Sequence, residues 1–214
     1  MTNAAIQGRA DLQAWETAKP SNFFTADSNL RAVLQRIMGP ARYAAFEPQM
    51  AHFGAHVATV LDQWAREEDR IGFHPRLDRF DGIGQRTEAI EFHPHHDAAG
   101  AIIWQSGILA LQAEPGHTVE QMALFYLLGH NGEGGHSCSI ACTAGLIRAL
   151  QAVGDPALQA AFLPPLLSPD YAAKQHGAQF LTEVQGGSDV GANALHACLL
   201  YTSWLHRNLH RQRH

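Results

Sequence analysis

The residues best suited to chemistry form one short run near the end of the chain, residues 179–190. Thr182 brings a hydroxyl to the end of a partly apolar segment, and Gly186 and Gly187 follow shortly after it. Glycine has no Cβ, so a chain can take a positive φ there and lie close to another molecule. Successive backbone N–H groups in such a turn form a concave anion site, to which Ser188 adds a donor. The pattern predicts either a ligand-contacting loop or a Gly-Gly turn that closes a β-hairpin.

A second group that could do chemistry consists of His93, His95, His96 and Asp97. Imidazoles beside a carboxylate can bind zinc or another transition metal. These residues straddle a predicted helix start, where Asp97 complements the helix dipole and adjacent histidines point apart. The structural interpretation is favoured, and we predict no metal ligand.

A third group lies at residues 133–138, where Glu133, His136 and Cys138 offer an acid, an imidazole and a thiol. A thiol-based enzyme needs its cysteine and histidine to face each other at a cleft. Neighbours this close in sequence more often form a helix N-terminus with a packed cysteine. We therefore predict a helix start rather than a nucleophile.

Composition limits the class of protein. The 214 residues suffice for one or two domains with a sizeable core, and 46% hydrophobic against 16% charged residues indicates a globular chain. A net charge of −5 argues against a general nucleic-acid binder. Three cysteines without framework spacing suit reduced thiols in the cytoplasm. The sequence shows neither a signal-peptide pattern nor a membrane-spanning apolar run, so no membrane partner is expected.

Hydrophobic spacing before the glycine run is mostly helical. It predicts helices over residues 29–38 after a cap at Asp27 or Ser28, 49–70 after Pro48, and 94–112. A capping box at Thr118 and Gln121 predicts the next helix. A short β-hairpin is predicted within residues 79–92.

The helix predicted over residues 137–153 is apolar on every face, so we expect it to be the most buried helix. The helix after it is expected to start at Pro156, with Asp155 as its cap, and to end at Pro164 and Pro165.

Residues 181–190 read Leu-Thr-Glu-Val-Gln-Gly-Gly-Ser-Asp-Val. This run resembles the first flavin-binding signature of the acyl-CoA dehydrogenases, hydrophobic-Thr-Glu-x-x-x-Gly-Ser-Asp. Its Gln-Gly-Gly variant is similar to the AidB-like branch, which takes part in the bacterial response to DNA alkylation. Asn193 and Ala197 also suit that branch, and residues 22–27 and 91–94 resemble its early segments more weakly.

The resemblance implies a mainly α fold: an acyl-CoA dehydrogenase-like N-terminal helical domain with a small β-hairpin insert, plus the first strand of the β middle domain. The implied organisation begins with a loosely attached N-terminus at residues 1–20 and the helical domain at residues 21–175. The start of a truncated flavin-binding middle β-domain follows at residues 176–197, and a non-native tail at residues 198–214.

The resemblance also implies FAD as the cofactor. Thr182 would hydrogen-bond the pyrimidine edge of the flavin ring, and Ser188 would reach the cofactor or the pantetheine side of a substrate. The implied cofactor-binding residues are Gln179, Phe180, Leu181, Thr182, Glu183, Val184, Gln185, Gly186, Gly187 and Ser188, of which Ser188 also binds substrate.

The function implied is α,β-dehydrogenation of acyl-CoA thioesters by an FAD-dependent oxidoreductase, homotetrameric when intact. One alternative is a flavoprotein that protects DNA through the C-terminal bundle of the family; another is a helical interaction module without catalysis. The family's catalytic base also lies in that C-terminal domain, so this sequence is expected to carry no catalytic residue and to be inactive by itself.

The last 17 residues, 198–214, break with the composition before them: they contain three arginines and no acid, glycine or proline. We interpret them as the product of a truncated or frame-shifted gene. The alternative is a basic tail that binds a partner.

Overall fold

The computed structural model describes residues 3–184 and 186–194, and this part of the chain is mainly helical. Its α-helices are α1 (Asn3–Ala18), α2 (Phe23–Ala26), α3 (Ser28–Met38), α4 (Pro40–His56), α5 (Asp62–Glu68), α6 (Pro94–Gln105), α7 (Thr118–Leu128), α8 (Gly135–Val153) and α9 (Pro156–Leu167). A π-helical turn, Val57–Leu61, joins α4 to α5, and 3₁₀ turns occur at Ala110–Ala113, Gly129–Asn131 and Val190–Ala192. The predicted mainly α fold with a small β-hairpin is confirmed.

The chain divides into two compact units, Met1–Ala178 and Gln179–His214. The expectation for the tail, residues 198–214, and the site prediction at Gln185 lie outside the described residues.

Helix α1 forms where we expected a loosely attached N-terminus. Its described side chains are exposed, and polar contacts hold its C-terminal end to α5. Arg66 of α5 pairs with Glu16, and Lys19 donates to Asp62 at 2.8 Å.

The predicted helix boundaries around α3 are correct. Asp27 accepts a 2.8 Å hydrogen bond from the N–H of Leu30, and Gly39 ends the helix with a φ of 73°. Pro40 then takes the first-turn position, so α4 starts there rather than after Pro48. Pro48 lies inside the helix because the tertiary packing of α4 outweighs the hydrogen bond that proline removes.

Three helix boundaries further along differ from the prediction. Gly107, with a φ of 81°, lies just beyond the end of α6, which stops at Gln105. The cap of α7 is His117, so the predicted capping box does not form. Helix α9 does not end at Pro164 and Pro165 but continues to Leu167. Leu166, which follows the two prolines, is buried.

The hairpin forms as predicted, with β1 (Arg76–Phe80) antiparallel to β2 (Arg86–Glu91). Leu77 pairs with Ile90 across the strands, and each of these two side chains is at least half exposed. The turn is held by Asp81, whose carboxylate accepts from the N–H groups of Ile83 and Gln85.

The core lies in the first unit, among α3, α4, α6, α7 and α8. Its largest fully buried side chains are Trp104, Phe24, Phe53, Met50, Ile103, Ile108, Leu109, Leu124, Leu127, Leu128, Ile140 and Ile147. Helix α2 packs closely on α4 at Gly54, where an added Cβ would lie 2.7 Å from Cβ of Phe24.

Helix α8 is less buried than its sequence predicted. Its buried residues form one stripe, His136, Ile140, Thr143 and Ile147, whereas Ala141 on another face is exposed. Helix α7, which is shorter, buries six residues. An apolar surface alone does not determine burial, because neighbouring elements of this unit cover only one side of α8.

Candidate functional site

The glycine run folds into a tight turn within the second unit. Glu183 and Gly186 form an isolated antiparallel bridge, and each N–H donates to the carbonyl of the other at 3.2 Å. This bridge places Val184 at the tip of the turn, next to the undescribed Gln185.

Two side chains of the same run stabilise the turn from within. Asn193 donates from Nδ2 to the carbonyl oxygen of Leu181 at 2.6 Å. The Glu183 carboxylate accepts the N–H of Ala194 at 2.8 Å. Both the Glu183 carboxylate and the Asn193 amide therefore serve the local fold.

The hydroxyls of Thr182 and Ser188 are open to a ligand. Both residues are exposed, and neither hydroxyl makes a hydrogen bond to another described residue. Gly187 is exposed too, and no atom of the described residues lies within 4 Å of the position that a Cβ would occupy there. These groups can hydrogen-bond a ligand that approaches the backbone closely.

Gly187 differs from the prediction in its backbone conformation. Its φ is not positive. Absence of a Cβ, and not a left-handed conformation, is therefore what Gly187 contributes.

Residues 179–181 have no strand conformation in the structure, although the sequence predicted the end of a strand there. A strand requires a hydrogen-bonded neighbour, and no described segment forms a strand pair with these residues. Phe180 is 87% exposed and Leu181 is 53% exposed. The run therefore presents apolar side chains beside the exposed hydroxyls.

This arrangement fits a flavin. A flavin offers carbonyl and nitrogen acceptors along one edge, a flat apolar ring and an anionic diphosphate. Thr182 and Ser188 supply donors, Gly187 leaves room for close approach, and Phe180 and Leu181 supply apolar contact area. Gln179 is exposed and precedes them directly.

The first unit holds its last residues firmly against α8 and α6. The N–H of Gly177 donates to Thr143 Oγ1 at 2.9 Å, and Ser139 Oγ lies 2.5 Å from Nδ1 of His176. Burial raises the pKa of Tyr171 to about 12, and this hydroxyl donates to Asp97 at 3.2 Å.

The histidines that were candidates for metal binding have separate structural roles. His93 accepts the N–H of His95 as the cap of α6, His95 stacks on Trp64 at 5.0 Å, and His96 stacks on Phe92 at 4.3 Å. Among the described residues, no group of three or more histidine, cysteine, aspartate or glutamate side chains is placed to hold a metal ion.

The group at residues 133–138 forms a helix start. Glu133 accepts the N–H groups of His136 and Ser137 at 2.7 and 3.1 Å. The ring of His136 is buried and donates from Nε2 to the carbonyl of His96 at 2.8 Å, while Cys138 is exposed. Burial lowers the pKa of His136, and the neighbouring His96 lowers it further. No pattern in the sequence indicates that His96 and His136 stack at 4.1 Å, because 40 residues separate them.

No described helix is both long and apolar enough to span a membrane.

Comparison with solved structures identifies the fold. The apo-form structure of Bd2924 has a TM-score of 0.73 and 30% sequence identity, with 82% of this chain and 35% of that chain covered. The Caenorhabditis elegans ACDH-11 structure in complex with C11-CoA has a TM-score of 0.69 at 22% identity, with 80% of this chain and 30% of that chain covered. The second likeness bears on the fold alone.

Comparison of sequences finds one of the same proteins as the comparison of structures. Acyl-CoA dehydrogenase family member 11 of C. elegans is 23% identical over 177 residues, which are 79% of this chain and 28% of that protein. The chain thus spans about a third or less of the length of these relatives. Residues 14–173 match the family described as adaptive response protein AidB N-terminal domain. This match covers well over half of the sequence, and the chain therefore belongs to the AidB N-terminal domain family.

Proposed function

We propose that this chain supplies the N-terminal helical domain and the first flavin-contacting segment of an FAD-dependent acyl-CoA dehydrogenase-like oxidoreductase. The observation that carries the proposal is the turn at Glu183 and Gly186, which leaves the hydroxyls of Thr182 and Ser188 exposed and unpaired among the described residues.

Each group of the turn has a role in this proposal. Thr182 donates to the pyrimidine edge of the flavin, and the backbone of residues 179–181 lies along the same edge. Ser188 binds the cofactor or the pantetheine part of the substrate. Gly187 allows the backbone to approach, while Glu183 and Asn193 hold the turn in shape. FAD supplies the capacity to accept two electrons from the substrate.

The substrate class in this proposal is an acyl-CoA thioester, which the C11-CoA in the ACDH-11 structure supports. In this proposal neither carboxylate of the run acts as the base: Glu183 accepts the N–H of Ala194, and Asp189 is exposed to solvent. We therefore assign the proton-abstracting base to the part of the protein that corresponds to the remaining length of the relatives. A cytoplasmic homotetramer is part of the same proposal.

The family match favours a second function, protection of DNA, because the description of that family names an adaptive response protein. In this alternative the flavoprotein protects DNA, and the DNA-binding surface belongs to the C-terminal part of the relatives. The described chain would then contribute the flavin turn and the helical scaffold.

One experiment separates these functions. The whole protein that contains this sequence is purified with FAD, made anaerobic and mixed with saturated acyl-CoA thioesters of several chain lengths. Loss of the flavin absorption band is expected if the protein is a dehydrogenase. Full retention of that band with every thioester, together with tight binding of duplex DNA, supports the DNA-protecting alternative. Purification without any flavin contradicts both.

A further inference from the structure

A cavity of about 510 Å³ lies in the first unit. It opens between the end of α5, the segment before α6 and the loop before α8. Its lining includes Glu68, Phe73, Phe92, His96, Asn131 and Glu133.

Aromatic rings form one wall of this cavity. Phe92 stacks on His96 at 4.3 Å, and Phe73 meets His93 edge-on at 5.1 Å. The two phenylalanines are 45% and 46% exposed, so much of their surface remains open to a ligand. The face of an aromatic ring carries negative charge density and attracts cations.

Carboxylates also line the cavity. Glu68 lies 3.9 Å from Nδ1 of His96, and its side chain is 23% exposed. Glu133 lines the same cavity, and its two oxygens each accept one backbone N–H while keeping further acceptor capacity. Burial raises the pKa of Glu68, and Glu133 acts in the same direction, whereas the nearby histidines lower it. Two partly buried carboxylates thus offer acceptors to a cation in this cavity.

The one arginine among the described lining residues does not neutralise these carboxylates. Arg66 pairs instead with Asp62 at 2.6 Å and with Glu16. Asp69, which is exposed, adds further negative charge at the rim.

A buried donor in the lining also lacks an acceptor. Nδ2 of Asn131 is buried and makes no hydrogen bond to another described residue. Leaving such a group unpaired is costly, so rotation of the Asn131 amide toward a ligand oxygen in the cavity would tighten binding of that ligand.

We propose that this cavity binds a small organic ammonium ion that also carries a hydroxyl or ester oxygen. The ammonium group packs against Phe92 and Phe73 and faces Glu68 and Glu133. The oxygen accepts from Nδ2 of Asn131. A metal ion does not suit the same lining, because the described histidines and carboxylates do not converge as metal ligands.

The test uses choline chloride as the probe and the 214-residue chain as the protein. Isothermal titration calorimetry with choline is compared with its neutral carbon isostere, dimethylbutanol, which has the same shape without the charge. Saturable binding of choline, at least about tenfold tighter than that of the isostere, is expected from a cation–π and carboxylate site. Equal binding of the two probes, or no saturable binding of choline, would overturn the proposal.

Matched variants locate the site. Phe92→Leu and Glu68→Gln are each expected to weaken choline binding by about tenfold. Phe162 of α9 is 46% exposed and lies outside the cavity, so Phe162→Leu is the control for Phe92→Leu. Glu67 is 29% exposed in its side chain and contacts His95 at 3.0 Å instead, so Glu67→Gln is the control for Glu68→Gln.

The controls are expected to bind choline like the unmodified chain. Equal losses in a variant and its control would place the choline elsewhere and overturn the proposal. If Glu68→Gln does not fold, as judged by circular dichroism, the exposed Phe92→Leu variant decides the question alone.

Discussion

The backbone N–H of Gly177 donates a 2.9 Å hydrogen bond to Oγ1 of Thr143, and the same hydroxyl donates to the carbonyl of Ser139 at 2.7 Å. Thr143 is fully buried. Gly177 is buried as well, and an added Cβ there would lie 2.9 Å from Cβ of Leu146. This contact holds the last residues of the first unit to α8, immediately before the glycine-containing run.

Replacing Thr143 by valine keeps the shape and removes both hydrogen bonds. The N–H of Gly177 then stays buried without an acceptor, which costs about 1–3 kcal/mol. We expect the free energy of unfolding to fall by that amount in a urea titration. Thr59→Val is the control, because Thr59 bonds only the carbonyl of Ala55 on an exposed face; its change should stay within about 0.5 kcal/mol. Equal effects of the two variants would show that the Gly177 contact adds nothing.

Gly100→Ala tests the close packing of α6 against Tyr171. A Cβ at Gly100 would overlap ring carbons of Tyr171, so the ring must move. Overpacking of this kind costs about 1–3 kcal/mol, which thermal or urea unfolding would measure. Gly8→Ala in α1 is the control, since nothing lies within 4 Å of that position and alanine is the better helix former. A Gly100→Ala protein as stable as the unmodified chain would disprove this packing.

Acid should destabilise the protein through His136. Burial lowers the pKa of this ring in the folded state, and burial also lowers the pKa of His176 and of His56. Below the ordinary pKa of 6.5, the unfolded chain therefore binds protons that the folded chain does not, and stability falls as the pH drops. The raised pKa of Glu68 acts in the opposite direction, with stability lost as the pH rises above 4.5.

The histidine contribution can be isolated with His136→Gln, in which the amide nitrogen can replace Nε2 as the donor to His96. We expect the unfolding free energy of this variant to change less with pH between about 5 and 7 than that of the unmodified chain. Identical pH slopes would mean that His136 does not carry the effect.

Helix caps, helix ends and tight turns could be predicted from the sequence, because residues close together in the sequence determine them. Asp27 and Asp155 cap their helices, Gly39 ends one, and the hairpin turn at Asp81 forms as expected. The turn of the glycine run is local too, because the bridge between Glu183 and Gly186 joins residues three apart in the sequence.

Long-range packing could not be predicted in the same way. Pro48 stays within α4 because tertiary contacts outweigh its local cost. Ala141 is exposed although its helix is apolar, because no described element covers that face. Glu68 of α5 and Glu133 of the loop before α8 line the same cavity. No spacing in the sequence indicates that these two segments lie close together.

The most direct test of the proposed function is an FAD titration, followed by flavin fluorescence, of the whole protein and of its Thr182→Val and Gly187→Val variants. Loss of one neutral hydrogen bond, about 0.5–1.5 kcal/mol, predicts that Thr182→Val weakens FAD binding by roughly tenfold or less. Gly187→Val should weaken it more, because the Cβ position there is clear of the other described residues and a side chain would occupy the space of the cofactor. The 214-residue chain alone should bind FAD more weakly than the whole protein. Unchanged FAD affinity in Gly187→Val would contradict the account, since the glycine run would then not contact the flavin.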